Sequence, residues 1–88
     1  MISKDYLITA AEGIHARPAT TLIRLVKHFK SAVILRKGDK SIRLNSILNI
    51  LTFGAKGGDT VTVIVEGEDE VAAAASIDKF FKEELKQL

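Results

Sequence analysis

No cysteine occurs among the 88 residues, which excludes a disulfide framework, a thiolate metal site and a cysteine nucleophile. Tryptophan is absent, aromatic residues make up 6% of the chain and the formal net charge is only +2. That is meagre equipment for gripping a polyanionic backbone, so direct nucleic-acid binding is a distant third among the candidate roles. No segment approaches the roughly 18 apolar residues of a membrane span. Met1-Ile2-Ser3-Lys4-Asp5 also lacks the apolar run of a secretion signal. A cytoplasmic location without membrane insertion is therefore expected. Hydrophobic residues, by contrast, are plentiful at 47%, enough for a packed core and too many for a disordered tail. The length suits one small domain spanning residues 1–88, with no repeats, linkers or low-complexity stretches.

Hydrophobic periodicity alternates cleanly along the chain. Lys4 to Thr9 reads as a strand with Tyr6 and Ile8 on one face. From Arg17 or Pro18 to about Phe29 the period turns helical, with Ala19, Leu22, Ile23 and Val26 on one side. Val33 and Leu35 mark a second strand, and Ile42 and Leu44 a third. Gly38-Asp39 between them suggests a hairpin. Ser46 is placed to cap a short helix from Ile47 to about Phe53 that Gly54 closes. In Thr60 to Glu66, valines alternate with other residues as in a half-buried strand. A last helix opens with Glu68, Asp69 and Glu70, closes with Lys79, Lys82 and Lys86, and has Ala74, Ile77, Phe81 and Leu85 as its buried stripe. The order β-α-β-β-α-β-α predicts an α+β open-faced β-sandwich: a four-stranded antiparallel sheet with three helices on one face.

The most informative stretch is Gly13-Ile14-His15-Ala16-Arg17-Pro18-Ala19-Thr20. Pro18 suits the first turn of a helix, because its missing N–H would be unpaired there anyway. His15 then stands just outside the helix mouth, where unpaired N–H groups and the positive end of the macrodipole attract phosphate. Histidine as a residue type is largely neutral near pH 7 and can attack an electrophile or carry a phosphoryl group covalently. Arg17 supplies charge-assisted hydrogen bonds to phosphate oxygens. On spacing alone a second reading stands beside this one: an ordinary loop histidine followed by a helix-starting proline. His28, on the polar side of the same helix and without such neighbours, reads as plain surface.

Arg17, Arg24 and Lys27 share a helical face, which suits either an acidic partner or simple solvation. Ser46 is a helix cap by position, and phosphate added to it would lie at a positive helix end. Ile47, Leu48, Ile50 and Leu51 are too many apolar residues for one face of a short helix. Some are expected to stay exposed as a protein-binding surface, unless all four pack inward. No metal site or cofactor is indicated.

The stretch Gly13-Ile14-His15-Ala16-Arg17-Pro18-Ala19 resembles the active-site signature of the HPr family, the histidine-containing phosphocarriers of the bacterial sugar phosphotransferase system. Asn45-Ser46-Ile47 is similar to the family's serine site, and Glu66-Gly67-Glu68-Asp69-Glu70 to the segment before its last helix. Element order agrees over essentially the whole chain. The resemblance implies a carrier, not a turnover catalyst, probed by the following expectations. His15 accepts a phosphoryl group on Nδ1 from enzyme I, itself charged by phosphoenolpyruvate, and passes it to IIA components of sugar permeases. Arg17 contacts the phosphoryl group. Thr20, Arg24 and Lys27, with the apolar patch Ile47, Leu48 and Leu51, form the docking surface of a monomer. Ser46 is the site of regulatory phosphorylation by an ATP-dependent HPr kinase/phosphorylase, and its phosphorylated form engages a catabolite-control transcription regulator. The alternative function is an adapter in carbon catabolite control that acts mainly through phospho-Ser46.

The chain departs from the family pattern near that serine. Many members carry lysine where Asn45 stands, and low-GC Gram-positive members usually carry methionine, glycine and methionine where Leu48, Asn49 and Leu51 stand. These changes bear on Ser46 recognition and leave the His15 chemistry unaltered. A related regulatory paralogue lacks the histidine, so its presence here argues against that assignment.

Overall fold

Residues 60–66 form the strand at the heart of the sheet in the computed structural model, which describes residues 1–88. In chain order the elements are β1 (Ile2–Leu7), α1 (Ala16–Lys27), β2 (Ala32–Lys37), β3 (Lys40–Arg43), α2 (Ile47–Phe53), β4 (Thr60–Glu66) and α3 (Glu70–Lys79). Beyond α3 the chain continues through a π-helical turn, Phe80–Glu84, and a 3-10 turn, Leu85–Gln87. The sheet order is β1-β4-β2-β3 and every neighbouring pair is antiparallel. β4 therefore pairs on both sides, and its Val61, Val63 and Val65 are all buried, while Thr60 and Glu66 at its ends are exposed. That alternation is what one covered face and one wet face require. The predicted α+β open-faced sandwich is the observed fold.

The helices cover the apolar face. Ala19, Leu22, Ile23 and Val26 of α1 are buried as their spacing predicts, together with Pro18. Burial of that stripe, at about 25 cal/mol per Å² of apolar surface, is what holds the helix in place. Gly54, at φ 75°, ends α2 in the left-handed conformation, and its N–H donates to the Ile50 carbonyl. The Gly38-Asp39 hairpin joins β2 to β3, with Lys37 opposite Lys40.

Three local expectations need correction. β1 runs from Ile2 to Leu7 instead of Lys4 to Thr9; Ile8 lies past its end, although it is buried and its N–H donates to the Asp59 carbonyl. Ladder pairing with β4 begins at Ile2 opposite Val65, and pairing sets the limits that periodicity alone could not. β3 is also shorter than expected, with buried Leu44 just beyond it. In α3 the buried alanine is Ala73, with Ala74 only half-buried, and Phe80 joins Phe81 inside. Adjacent helical positions point about 100° apart, within the width of an apolar stripe, so both rings reach the core as the adjacent Leu22 and Ile23 of α1 do. Phe81 stacks on Tyr6 with ring centroids 4.7 Å apart and meets Phe80 edge-on at 5.2 Å. This cluster ties the C-terminal turn to β1. Beside it Asp78 accepts hydrogen bonds from Lys4 Nζ and the Tyr6 hydroxyl, both at 2.7 Å. The Lys4 ammonium and then the hydroxyl hold its carboxyl down to about 2.

Candidate functional site

The segment that delivers His15 to α1 is fixed before the helix begins. The Gly13 N–H donates to the Ala10 carbonyl at 2.9 Å, closing a tight turn over Ala10–Gly13. The Ile14 N–H donates to the Ala55 carbonyl at 3.0 Å, and the Ile14 side chain is buried. Gly13 has φ 68°, and a Cβ there would come within 2.1 Å of the Ala55 oxygen. Only glycine suits both the backbone conformation and the approach. The other side of the contact is equally close, since a Cβ on Gly57 would meet the carbonyl oxygens of Ala10 and Ala11 at 2.7 and 2.8 Å.

His15 itself is the N-cap of α1, with extended backbone angles of φ −85° and ψ −169°. The helix starts at Ala16, earlier than the expected Arg17 or Pro18. Pro18 is thus the third helical residue, still within the turn whose N–H groups have no helical acceptor, so the missing N–H sacrifices no bond. The His15 carbonyl accepts the Ala19 N–H at 2.9 Å, while its ring makes no cap hydrogen bond. The N–H groups of Ala16 and Arg17 find no acceptor in the chain, and the first turn holds no acidic residue. Two free donors and the positive end of the helix dipole therefore sit next to an imidazole whose side chain is 35% exposed. Arg17 is exposed and forms no ion pair. This mouth can receive an anion and place it against a ring nitrogen.

The sequence pattern does not mark Glu12, which is a charged neighbour of the ring. Its Oε2 lies 3.3 Å from His15 Nε2. Position three residues ahead of a histidine was the available signal. His15 and Glu12 also line a shallow cavity of about 250 Å³ whose far wall is the C-terminal turn, with Leu85, Lys86 and Leu88. No cluster of three or more histidine, cysteine or acidic side chains suited to a metal is present.

Along α1, the Thr20 hydroxyl donates back to the Ala16 carbonyl at 2.9 Å, and Arg24 and Lys27 are exposed. His28 is exposed as well, at the C-cap. The second motif lies on α2, which packs against α1. Ser46 caps this helix as expected: its Oγ accepts the Asn49 N–H at 3.1 Å. Asn49 Nδ2 also donates to Asn45 Oδ1 at 2.8 Å, bridging the same helix start. Ile50 is buried, whereas Ile47, Leu48 and Leu51 are exposed, Leu48 by 72%. The apolar surplus read from the sequence is divided between core and surface.

A family model described as the PTS HPr component phosphorylation site matches residues 2–83. The chain is 29% identical to the phosphocarrier protein HPr of Treponema pallidum over 87 residues, 99% of each chain. Its fold superposes on a crystal structure of HPr from Thermoanaerobacter tengcongensis with a TM-score of 0.90 and 27% identity, covering 97% of this chain and 96% of that one. It is also similar to the Bacillus subtilis catabolite repression protein Crh, described as a domain-swapped dimer (TM-score 0.75, 29% identity, 97% and 98% covered). The class these matches define is the small α+β phosphocarrier, which relays a group and is not itself a catalyst. The chain belongs to the HPr family of the phosphotransferase system. No helix is long and apolar enough to cross a membrane.

Proposed function

We propose that His15 is the phosphoryl acceptor of this carrier, taking the group on Nδ1 from enzyme I charged by phosphoenolpyruvate and passing it to IIA components of sugar permeases. The observation that carries this reading is the open start of α1, where the free N–H groups of Ala16 and Arg17 adjoin the His15 ring. The Nδ1 lone pair attacks phosphorus in line, and the bond from phosphorus to the donor's nitrogen breaks with its electron pair returning to the donor ring. The helix mouth and the Arg17 guanidinium stabilise the phosphoryl oxygens during transfer, which rests mainly on positioning and electrostatics. Thr20, Arg24 and Lys27, with exposed Ile47, Leu48 and Leu51, form the docking face. Basic side chains steer an acidic partner and the apolar ones give it a dry contact. The working unit is one domain, a monomer in the cytoplasm. His15→Ala should abolish acid-labile labelling by phosphoenolpyruvate and enzyme I; persistent labelling of that variant contradicts the assignment.

A second reading, an adapter regulated at Ser46, is favoured by the position of that hydroxyl. A phosphate on Ser46 would lie at the positive end of α2. Incubation with ATP and an HPr kinase/phosphorylase separates the two readings, because this one requires acid-stable phosphoserine. An unlabelled Ser46 counts against it, and against binding of a catabolite-control regulator through that site.

A further inference from the structure

We propose that Glu12 is a positioning residue for phosphoryl transfer, holding the His15 proton on Nε2 and so presenting Nδ1 as the free nitrogen; this rests on His15 being the acceptor. The Glu12 carboxylate lies 3.3 Å from Nε2, and it has no other charged partner in the chain. A neutral imidazole keeps one proton, and the neighbour of each ring nitrogen decides which one carries it. The contact is not a hydrogen bond; it acts through space, and a carboxylate on this side of the ring favours the Nε2–H form because that hydrogen is the positive end of the ring dipole. The lone pair then resides on Nδ1.

The backbone supports this placement. Glu12 is the third residue of the Ala10–Gly13 turn, which the Gly13 N–H bond to Ala10 closes. That turn is wedged against residues 55–57 by the close approaches at Gly13 and Gly57. The carboxylate is consequently carried by a constrained piece of chain, although the side chain is 77% exposed. Lys86, which also lines the cavity beside the ring, makes no ion pair, so it does not draw the Glu12 carboxylate away from His15.

Glu12 acts in the transfer step without moving a proton. When Nδ1 forms its bond to phosphorus and the donor's bond breaks, the His15 ring becomes a phosphorylated imidazolium with Nε2–H intact. The carboxylate beside Nε2 offsets that developing positive charge. On donation the same proton stays in place, the electron pair of the breaking bond returns to Nδ1, and the ring is again neutral.

Ring-nitrogen NMR on the unphosphorylated full chain at alkaline pH reads the tautomer directly. Nε2 should be protonated and Nδ1 bare in the wild type, with Glu12→Ala shifting the balance toward Nδ1–H. Phosphate uptake from phosphoenolpyruvate and enzyme I should slow about two- to fivefold in Glu12→Ala, the range a solvent-exposed charge contact supplies. Glu12→Asp should recover part of the rate. A wild type protonated on Nδ1, or a tautomer balance and rate unchanged in Glu12→Ala, overturns the role of Glu12. Failure of the wild type to accept phosphate at all is a different result: it removes the carrier assignment, while the tautomer measurement still reports on Glu12.

Discussion

At the start of α2 the chain supplies its own hydrogen-bond acceptor, the Ser46 hydroxyl, and at the start of α1 it supplies none. The two helices pack against each other, so the difference arises within a single neighbourhood. A side-chain cap stabilises a helix by about 1 kcal/mol. α1 forgoes that contribution, and neither helix has an acidic residue in its first turn to answer the dipole. Burial of Ala19 and Leu22, both at 0% exposure, compensates for the missing cap. The comparison separates two uses of a helix N-terminus. One is closed by the protein's own side chain, and the other leaves its donors free.

The contrast can be broken most severely at Gly13. Gly13→Ala forces a Cβ into the Ala55 carbonyl and a side chain into a left-handed conformation. It should cost about 3 kcal/mol or more in urea unfolding, because backbone strain and a backbone clash act together. At the open mouth, Arg17→Ala should slow phosphate uptake by about 10- to 100-fold, the loss of a charge-assisted contact to phosphate. Its unfolding midpoint should stay nearly unchanged, since the side chain is exposed and unpaired. At the closed mouth the pattern reverses. Ser46→Ala should lower stability by about 1 kcal/mol and leave the rate of uptake at His15 as it was. Rapid-quench labelling and denaturant titration on both variants would expose any mixing of the two roles.

What could be read in the sequence was mostly what is determined locally. The α1 stripe, the Ser46 cap, the Gly54 stop and the β4 alternation each follow from a few neighbouring residues, and all are present in the fold. The first helical residue is not legible from Pro18, because proline tolerates any position in a turn whose N–H groups are free and so marks the turn without marking its first residue. Which side of α3 and its continuation faces the core, Ala73 and Phe80 as well as Phe81, is set by packing against distant segments such as β1, where Phe81 stacks on Tyr6. Glu12 escaped notice for a similar reason. Its direction depends on a turn wedged against residues 55–57, which periodicity cannot reveal.

The central claim is that the uncapped start of α1, and not the capped start of α2, receives the phosphoryl group. NMR of the chain phosphorylated with phosphoenolpyruvate and enzyme I tests it directly, by following phosphorus, the ring nitrogens and the backbone amides together. One phosphoryl group should appear on His15 Nδ1, with the amides of Ala16 and Arg17 shifting most and those of Ser46 and Asn49 staying in place. A phosphoryl group on His28 or Ser46, or Ala16 and Arg17 amides that do not move, would contradict the account.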